Sequence, residues 1–297
     1  MLVLLCALSL VLGCSRGEAR ATGPFNGQTA LEYAKTQVDF GARVPGTDAH
    51  TQAGDWIVAR MKERADTVIE QSWTHRTVAG VDLPLRNILA RFRPQAAERV
   101  LYLTHWDSRP IADSESDAIL RTKPVPGAND GASGVGLFVA LGDVLKRIPP
   151  SVGVDLLFVD GEDYGSFDKN EDVLIGSRYF AEHLPSPDYQ VLYGVLWDMI
   201  GDSDLLIYEE THSAERAPEV VARVWQSASD LGYSRFFVPE TKYAVTDDHI
   251  PLLDKGLRVI DVIDLDYPAH HTTRDTMDRI SAASLKVVGD VALALVR

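Results

Sequence analysis

The chain has 297 residues, 45% of them apolar and 24% charged, with a formal net charge of −14. That length and balance suit a soluble globular protein of one large or two small domains. The acidic surplus argues against nucleic acid as a partner, which needs a basic surface, and leaves carboxylates available for a cation.

Met1 to Gly13 carries no charge and is almost wholly apolar. The run is short for a bilayer span and fits the hydrophobic part of an export signal. Its end, Val11-Leu12-Gly13-Cys14, has the look of a bacterial lipoprotein signal, in which Cys14 would be lipidated after cleavage. The alternative is a secretory signal cut later, near Ala19-Arg20-Ala21. The expected organisation is a signal over 1–14, a linker over 15–26 and one main domain over 27–297. The expected location is exported, periplasmic or held at a membrane only through that lipid. Cys6 falls inside the signal, so the mature domain has no disulfide available and depends on its core.

Residues 27–65 place Leu31, Ala34, Val38, then Trp56, Ile57 and Met61 at helical spacing, broken by a loop over Gly41–Gly46. Thr67–Trp73 and Asn87–Phe92 alternate as strands, the second as an edge-type partner. Arg99–Thr104 and Val152–Val159 are continuous apolar strands, and 191–197, 205–208 and 259–263 read as strands too. Helices are expected after Asp130 and over 175–184, 218–231 and 282–296. Strands alternating with helices predict one α/β domain, with a mainly parallel (mixed) central sheet covered by helices on both faces.

In open α/β sheets the ligand lies beyond the carboxyl ends of the strands. The first apolar strand delivers His105-Trp106-Asp107 there. The loop Gly127-Ala128-Asn129-Asp130 puts Asp130 at a helix start. The next strand delivers Glu162-Asp163, the 191–197 strand delivers Asp198, and the 259–263 strand leads to His270-His271. A single Asp after a strand is usually a cap. Histidine or carboxylate at five such ends is hard to explain by capping, and the mixed nitrogen and oxygen donors suit zinc. Adjacent side chains point different ways, so of Glu162 and Asp163 one can bind a metal while the other moves protons.

These residues in this order resemble the M28 family of zinc-dependent peptidases and glutaminyl cyclases, over nearly all of the chain after the signal. The likeness begins at Phe40-Gly41-Ala42-Arg43-Val44-Pro45-Gly46. It continues through His105-x-Asp107, the Asp130 loop, Glu162-Asp163, Asp198 and His271-Thr-x-x-Asp275-Thr. The resemblance implies one zinc on Asp130, Asp163 and His271, with Glu162 as general base. It permits a second zinc on His105 and Asp198, bridged by Asp130. Asp247-Asp248-His249-Ile250-Pro251 resembles a segment of the glutaminyl cyclases that carries a catalytic acid, which implies Asp247, with Asp198, in that role. His271 is preferred to His270 because the His-Thr-x-x-Asp-Thr spacing selects it. Asp163 stands where animal cyclases carry Glu, and Asp261 near where they keep a histidine.

The implied activity is a glutaminyl-peptide cyclotransferase, an acyltransferase acting as a monomer on peptides or proteins with N-terminal glutamine. The rivals are an M28-type aminopeptidase that cleaves the first peptide bond and a non-catalytic surface binding module. Tyr164, Trp197, Phe236, Phe237 and Tyr267 are candidates for pocket walls or core. His249 is expected to start a helix, and His50, His75, His183 and His212 to lie on the surface.

Overall fold

The computed structural model describes residues 25–297. The signal and lipidation expectations at Met1–Gly13 and Cys14 lie outside the described residues. In chain order come α1 (Gly27–Asp39), α2 (Asp48–Lys62), β1 (Thr67–Arg76), β2 (Asp82–Phe92), β3 (Arg99–His105), α3 (Ala132–Arg147), β4 (Gly153–Val159) and α4 (Ile175–Glu182). Then follow β5 (Tyr193–Asp198), β6 (Ile207–Glu210), α5 (Thr211–Arg216), α6 (Pro218–Asp230), β7 (Phe237–Tyr243), α7 (His249–Asp254), β8 (Val259–Ile263) and α8 (Ala282–Ala294).

Six strands form one sheet in the order β1-β2-β4-β3-β5-β8. β4, β3, β5 and β8 are parallel, and β1 and β2 join antiparallel at one side. Side chains alternate across a strand, and here the two sets enter separate cores. Val100, Tyr102, Val154, Leu156, Phe158, Val195 and Trp197 join one apolar cluster with α1, α2, α3, α6 and α8. Leu101, Leu103, Leu157, Val159 and Leu196 join another that includes Phe180 of α4 and Leu252 of α7. A sheet covered on both faces needs strands that are apolar throughout, and every residue of β3, β4, β5 and β8 is buried. Each such Leu contributes about 2 kcal/mol of burial.

The mixed sheet with helices on both faces is the architecture expected. Three local differences have physical causes. The Asn87–Phe92 segment is not at an edge: β2 starts earlier, at Asp82, and lies between β1 and β4, leaving β1 as the edge strand. β7 is hidden in the sequence because Pro239, Glu240 and Lys242 break its apolar pattern; among the described residues it pairs only with β6, in a register with bulges. α5 is too short for a period to show; the Glu210 carboxylate starts it by accepting from the amides of His212 and Ser213.

The parallel strands end at one rim. His105 closes β3, Asp198 closes β5, and the β4 chain leaves through Asp160-Gly161-Glu162-Asp163.

Candidate functional site

Three carboxylates fasten the loops at that rim by taking backbone amides. Asp107 accepts from Glu162 N at 3.1 Å and Asp163 N at 3.2 Å, so the β3 exit fixes the turn bearing the paired acids. Asp275 accepts from Asn129 N at 2.8 Å and Asp130 N at 3.1 Å, and Tyr267 Oη donates to it at 2.6 Å. Asp160 receives Arg86 N at 2.7 Å on Oδ2, while Oδ1 lies 2.7 Å from His50 Nε2. Gly131, between Asp130 and α3, has φ +93°, and a Cβ there would meet Asp107 O at 2.6 Å. Only glycine lets the chain turn so tightly against the β3 exit.

His271 Nε2 is 3.4 Å from Asp163 Oδ1 and 3.7 Å from Asp130 Oδ2. His105 Nε2 is 3.0 Å from Asp130 Oδ1 and 3.2 Å from Asp198 Oδ1. The expected ligands therefore converge, with Asp130 between two histidines. Ligand atoms of His105, Asp130 and Asp198 lie within 4.8 Å of one another, as do those of Asp130, His270 and His271. Asp163 belongs to neither of these tight groups. Arg109 Nη1 donates to its Oδ1 at 2.6 Å. Oδ2 of Asp130 and Oδ2 of Asp163 are buried without a hydrogen-bond partner. A buried carboxylate oxygen left bare is costly; Asp130 Oδ2 faces His271 Nε2 at 3.7 Å, and this oxygen, the bare Asp163 Oδ2 and the neighbouring imidazoles are a donor set that fits a divalent cation of the zinc type.

His270 was set aside in favour of His271, yet its ring lies 3.8 Å from that of His271 and it lines the same cavity. The left-handed backbone of His271, φ +54°, allows two adjacent rings to face one site. Two more residues, to which the sequence assigned no role, make contacts at the site. Asp113 lies 3.4 Å from His271 Nδ1, leaving Nε2 toward Asp130 and Asp163. Arg109 joins Asp113 to Asp163, with bonds of 2.9 and 2.6 Å to the Asp113 oxygens.

The cavity beside these groups holds about 330 Å³. Asp130, Glu162, Asp168, Asp198 and Asp247 line it, and Phe167, Met199, Val245, Ile263 and Leu265 supply apolar wall. A cleft of about 450 Å³ between α2 and the β1–β2 pair is larger but holds none of these carboxylates. Of the five aromatics considered as walls, Trp197, Phe237 and Tyr267 are core, with 0%, 1% and 3% exposure. Tyr164 packs beside Leu83, Leu85 and Ile175, and Phe236 against the main core. Phe167 lines the cavity instead. His50 is not a surface residue: it is buried between Asp160 and the face of Trp106. His75 is half-buried on Asp172, His183 is exposed, and His249 begins α7 as expected.

Burial raises Glu162 well above the carboxylate range; His105 opposes the rise, and Asp163, Asp247 and Asp248 add to it. Burial also raises Asp247, reinforced by Asp198 and Asp248. His271 resists the lowering effect of burial and is pushed up to about 10 by Asp163, Asp113 and Asp130. Proton affinity is thus distributed as a site short of positive charge requires. Burial lowers Arg43 to about 10, while Asp275, Asp130 and Asp107 support its charge.

The chain matches Peptidase family M28 over residues 87–296. It is similar to the solved glutaminyl cyclase of Porphyromonas gingivalis, with 35% identity, TM-score 0.89, and 92% of this chain and 98% of that one covered. A Zn-dependent exopeptidase from Parabacteroides distasonis is 33% identical with the same TM-score of 0.89, covering 92% and 98%. The glutaminyl-peptide cyclotransferase-like protein of Mus musculus is 27% identical over 79% of this chain and 66% of its own. The chain spans from about a third to about two thirds of the length of the curated relatives it matches first.

Proposed function

The chain belongs to peptidase family M28, and on that premise we propose that it is a zinc-dependent glutaminyl-peptide cyclotransferase. The substrate is a peptide or protein with N-terminal glutamine, converted to pyroglutamate with release of ammonia. One observation carries this reading within the family. Asp247 lines the same small cavity as Glu162 and Asp198, with Asp130 and Asp168 also on its wall. A free α-amine beside a side-chain amide is a ligand that such a set can orient and deprotonate.

Asp130, Asp163 and His271 would hold one zinc. When bound, it supplies Lewis-acid polarisation of the glutamine side-chain carbonyl. The remaining chemistry belongs to the protein. Asp198 and Asp247 hold the α-amine by hydrogen bonds. Glu162, whose proton affinity burial already raises, takes a proton as the amine nitrogen bonds to the amide carbon, and returns it to the nitrogen that leaves as ammonia. Ring closure is intramolecular, so most of the rate comes from holding a near-attack geometry. The cavity of about 330 Å³ suits one buried residue with the rest of the peptide outside.

The proposal includes export, with attachment to a membrane only through a lipid on Cys14, supported by the uncharged Met1–Gly13 run before it, and action as a monomer. Among the described residues no helix is long and apolar enough to cross a membrane.

A second reading, an aminopeptidase with two zincs, is favoured by the His105, Asp130 and Asp198 group. Incubation with a Gln-initiated peptide, read by mass spectrometry beside zinc analysis per chain, separates the two. Loss of one ammonia supports the cyclase. Release of free residues from a Leu-anilide with no cyclisation of the Gln-peptide would replace it by the peptidase.

A further inference from the structure

Arg43 is fully buried, and none of its hydrogen bonds among the described residues goes to a carboxylate. Buried charges are normally paired. Here the guanidinium is used on main-chain oxygens. Nη1 donates to Pro126 O at 2.6 Å, Nη2 to Gly127 O at 2.6 Å, and Nε points at Trp106 O at 3.5 Å. The Arg43 carbonyl in turn accepts from Ser108 N at 3.3 Å. One side chain thus spans the β3 exit, which presents His105 and Asp107, and the loop that presents Asp130.

The loop is shaped around this group. Gly127 has φ +69°, and a Cβ there would fall 2.5 Å from Arg43 Nη2. The opposite polarity holds the loop's other side, where the Asp275 carboxylate takes the amides of Asn129 and Asp130. A planar fork grips the carbonyls and a carboxylate grips the amides. Lysine cannot reproduce the first grip, because its donors radiate from one point.

We propose that Arg43 is the positioning residue of the metal loop: its guanidinium locks the Asp130 loop to the end of β3 and so prebuilds the metal site before any ion arrives. This rests on the reading of Asp130 as a metal ligand. The fixed cation also lets Asp107, Asp130 and Asp275 sit together out of water in the metal-free protein.

The test uses the full chain stripped of metal, with zinc affinity from chelator competition, the visible spectrum of the cobalt-loaded protein, and thermal melting of the metal-free form. R43K and R43Q are expected to weaken zinc binding about tenfold or more, the scale of lost outer partners, and to alter the cobalt spectrum while the metal-free protein still melts cooperatively. R43K should be no better than R43Q. Unchanged affinity and spectrum in a folded R43K or R43Q overturns the proposal, as does a loss confined to melting temperature. Should both variants fail to fold, R43A with millimolar guanidinium added back reads the same contact. Recovery of zinc binding by guanidinium but not by ammonium supports the proposal, and no recovery overturns it. If the unaltered protein binds no zinc, the metal reading itself fails, and that outcome is distinct from the others.

Discussion

Asp155 in the middle of β4 and the acids at the exit of the same strand are buried to similar degrees but are held in opposite ways. Asp155 accepts from Arg99 Nε and Nη2 at 2.8 and 2.7 Å, Arg91 Nε at 3.1 Å and Tyr189 Oη at 2.8 Å. Its oxygens are satisfied and its charge is matched by two arginines. At the exit, Asp163 Oδ2 and, across the rim, Asp130 Oδ2 have no hydrogen-bond partner. Glu162 is pushed toward its protonated form. A closed network is a structural device, whereas bare oxygens beside imidazoles mark a place built for a ligand.

The comparison is most exposed at Glu162. If its role is proton transfer, E162Q should lower turnover by about 10²–10⁴-fold while zinc content and melting temperature stay near those of the parent. Unchanged turnover would remove the base assignment. The converse change is Asp155→Asn, which leaves Arg99 and Arg91 facing a neutral group. It should cost about 3–5 kcal/mol of stability in denaturant titration, with zinc content per folded chain unaltered. A loss of zinc in folded D155N would show that the two acidic places are not independent.

Asp107 is the intermediate case, a satisfied carboxylate whose partners are the amides of Glu162 and Asp163. D107N should keep the fold and lower zinc affinity and turnover about 10–100-fold; a change in stability alone would class it with Asp155. The smallest effect is expected at Asp264, half-satisfied, with Leu206 N on Oδ2 at 2.9 Å and Oδ1 bare. Burial, reinforced by Asp202, raises its pKa to about 7. The folded state therefore holds this proton more tightly than the unfolded one. Its contribution is full below the ordinary value of 3.8 and is lost as the pH rises to about 7. D264N should flatten that part of the stability curve. A parent curve without decline between these values would refute the assignment.

Much of the fold was legible because its signals are local. The apolar runs of β3, β4 and β8 and the helical periods of α3 and α6 lie within single stretches of chain, and a strand's end is read directly from where the apolar run stops. His105, Asp130, Glu162, Asp163, Asp198 and His271 were singled out on that ground, aided by resemblance, and Asp247 by resemblance alone. β7 and α5 were missed because the first is polar and broken by Pro239 and the second is too short to show a period.

The sequence by itself determined the layered α/β architecture, the rim where chemistry gathers and the residue types delivered there, because side-chain period and strand termini are properties of neighbouring residues. Tertiary structure alone decided how those residues are held. It placed Arg109 between Asp113 and Asp163, brought His270 beside Asp130, buried His50 against Asp160 and set Arg43 under the Asp130 loop. Each of these contacts joins segments distant in the chain, and burial and electrostatic pairing depend on separation in space, which no local spacing encodes.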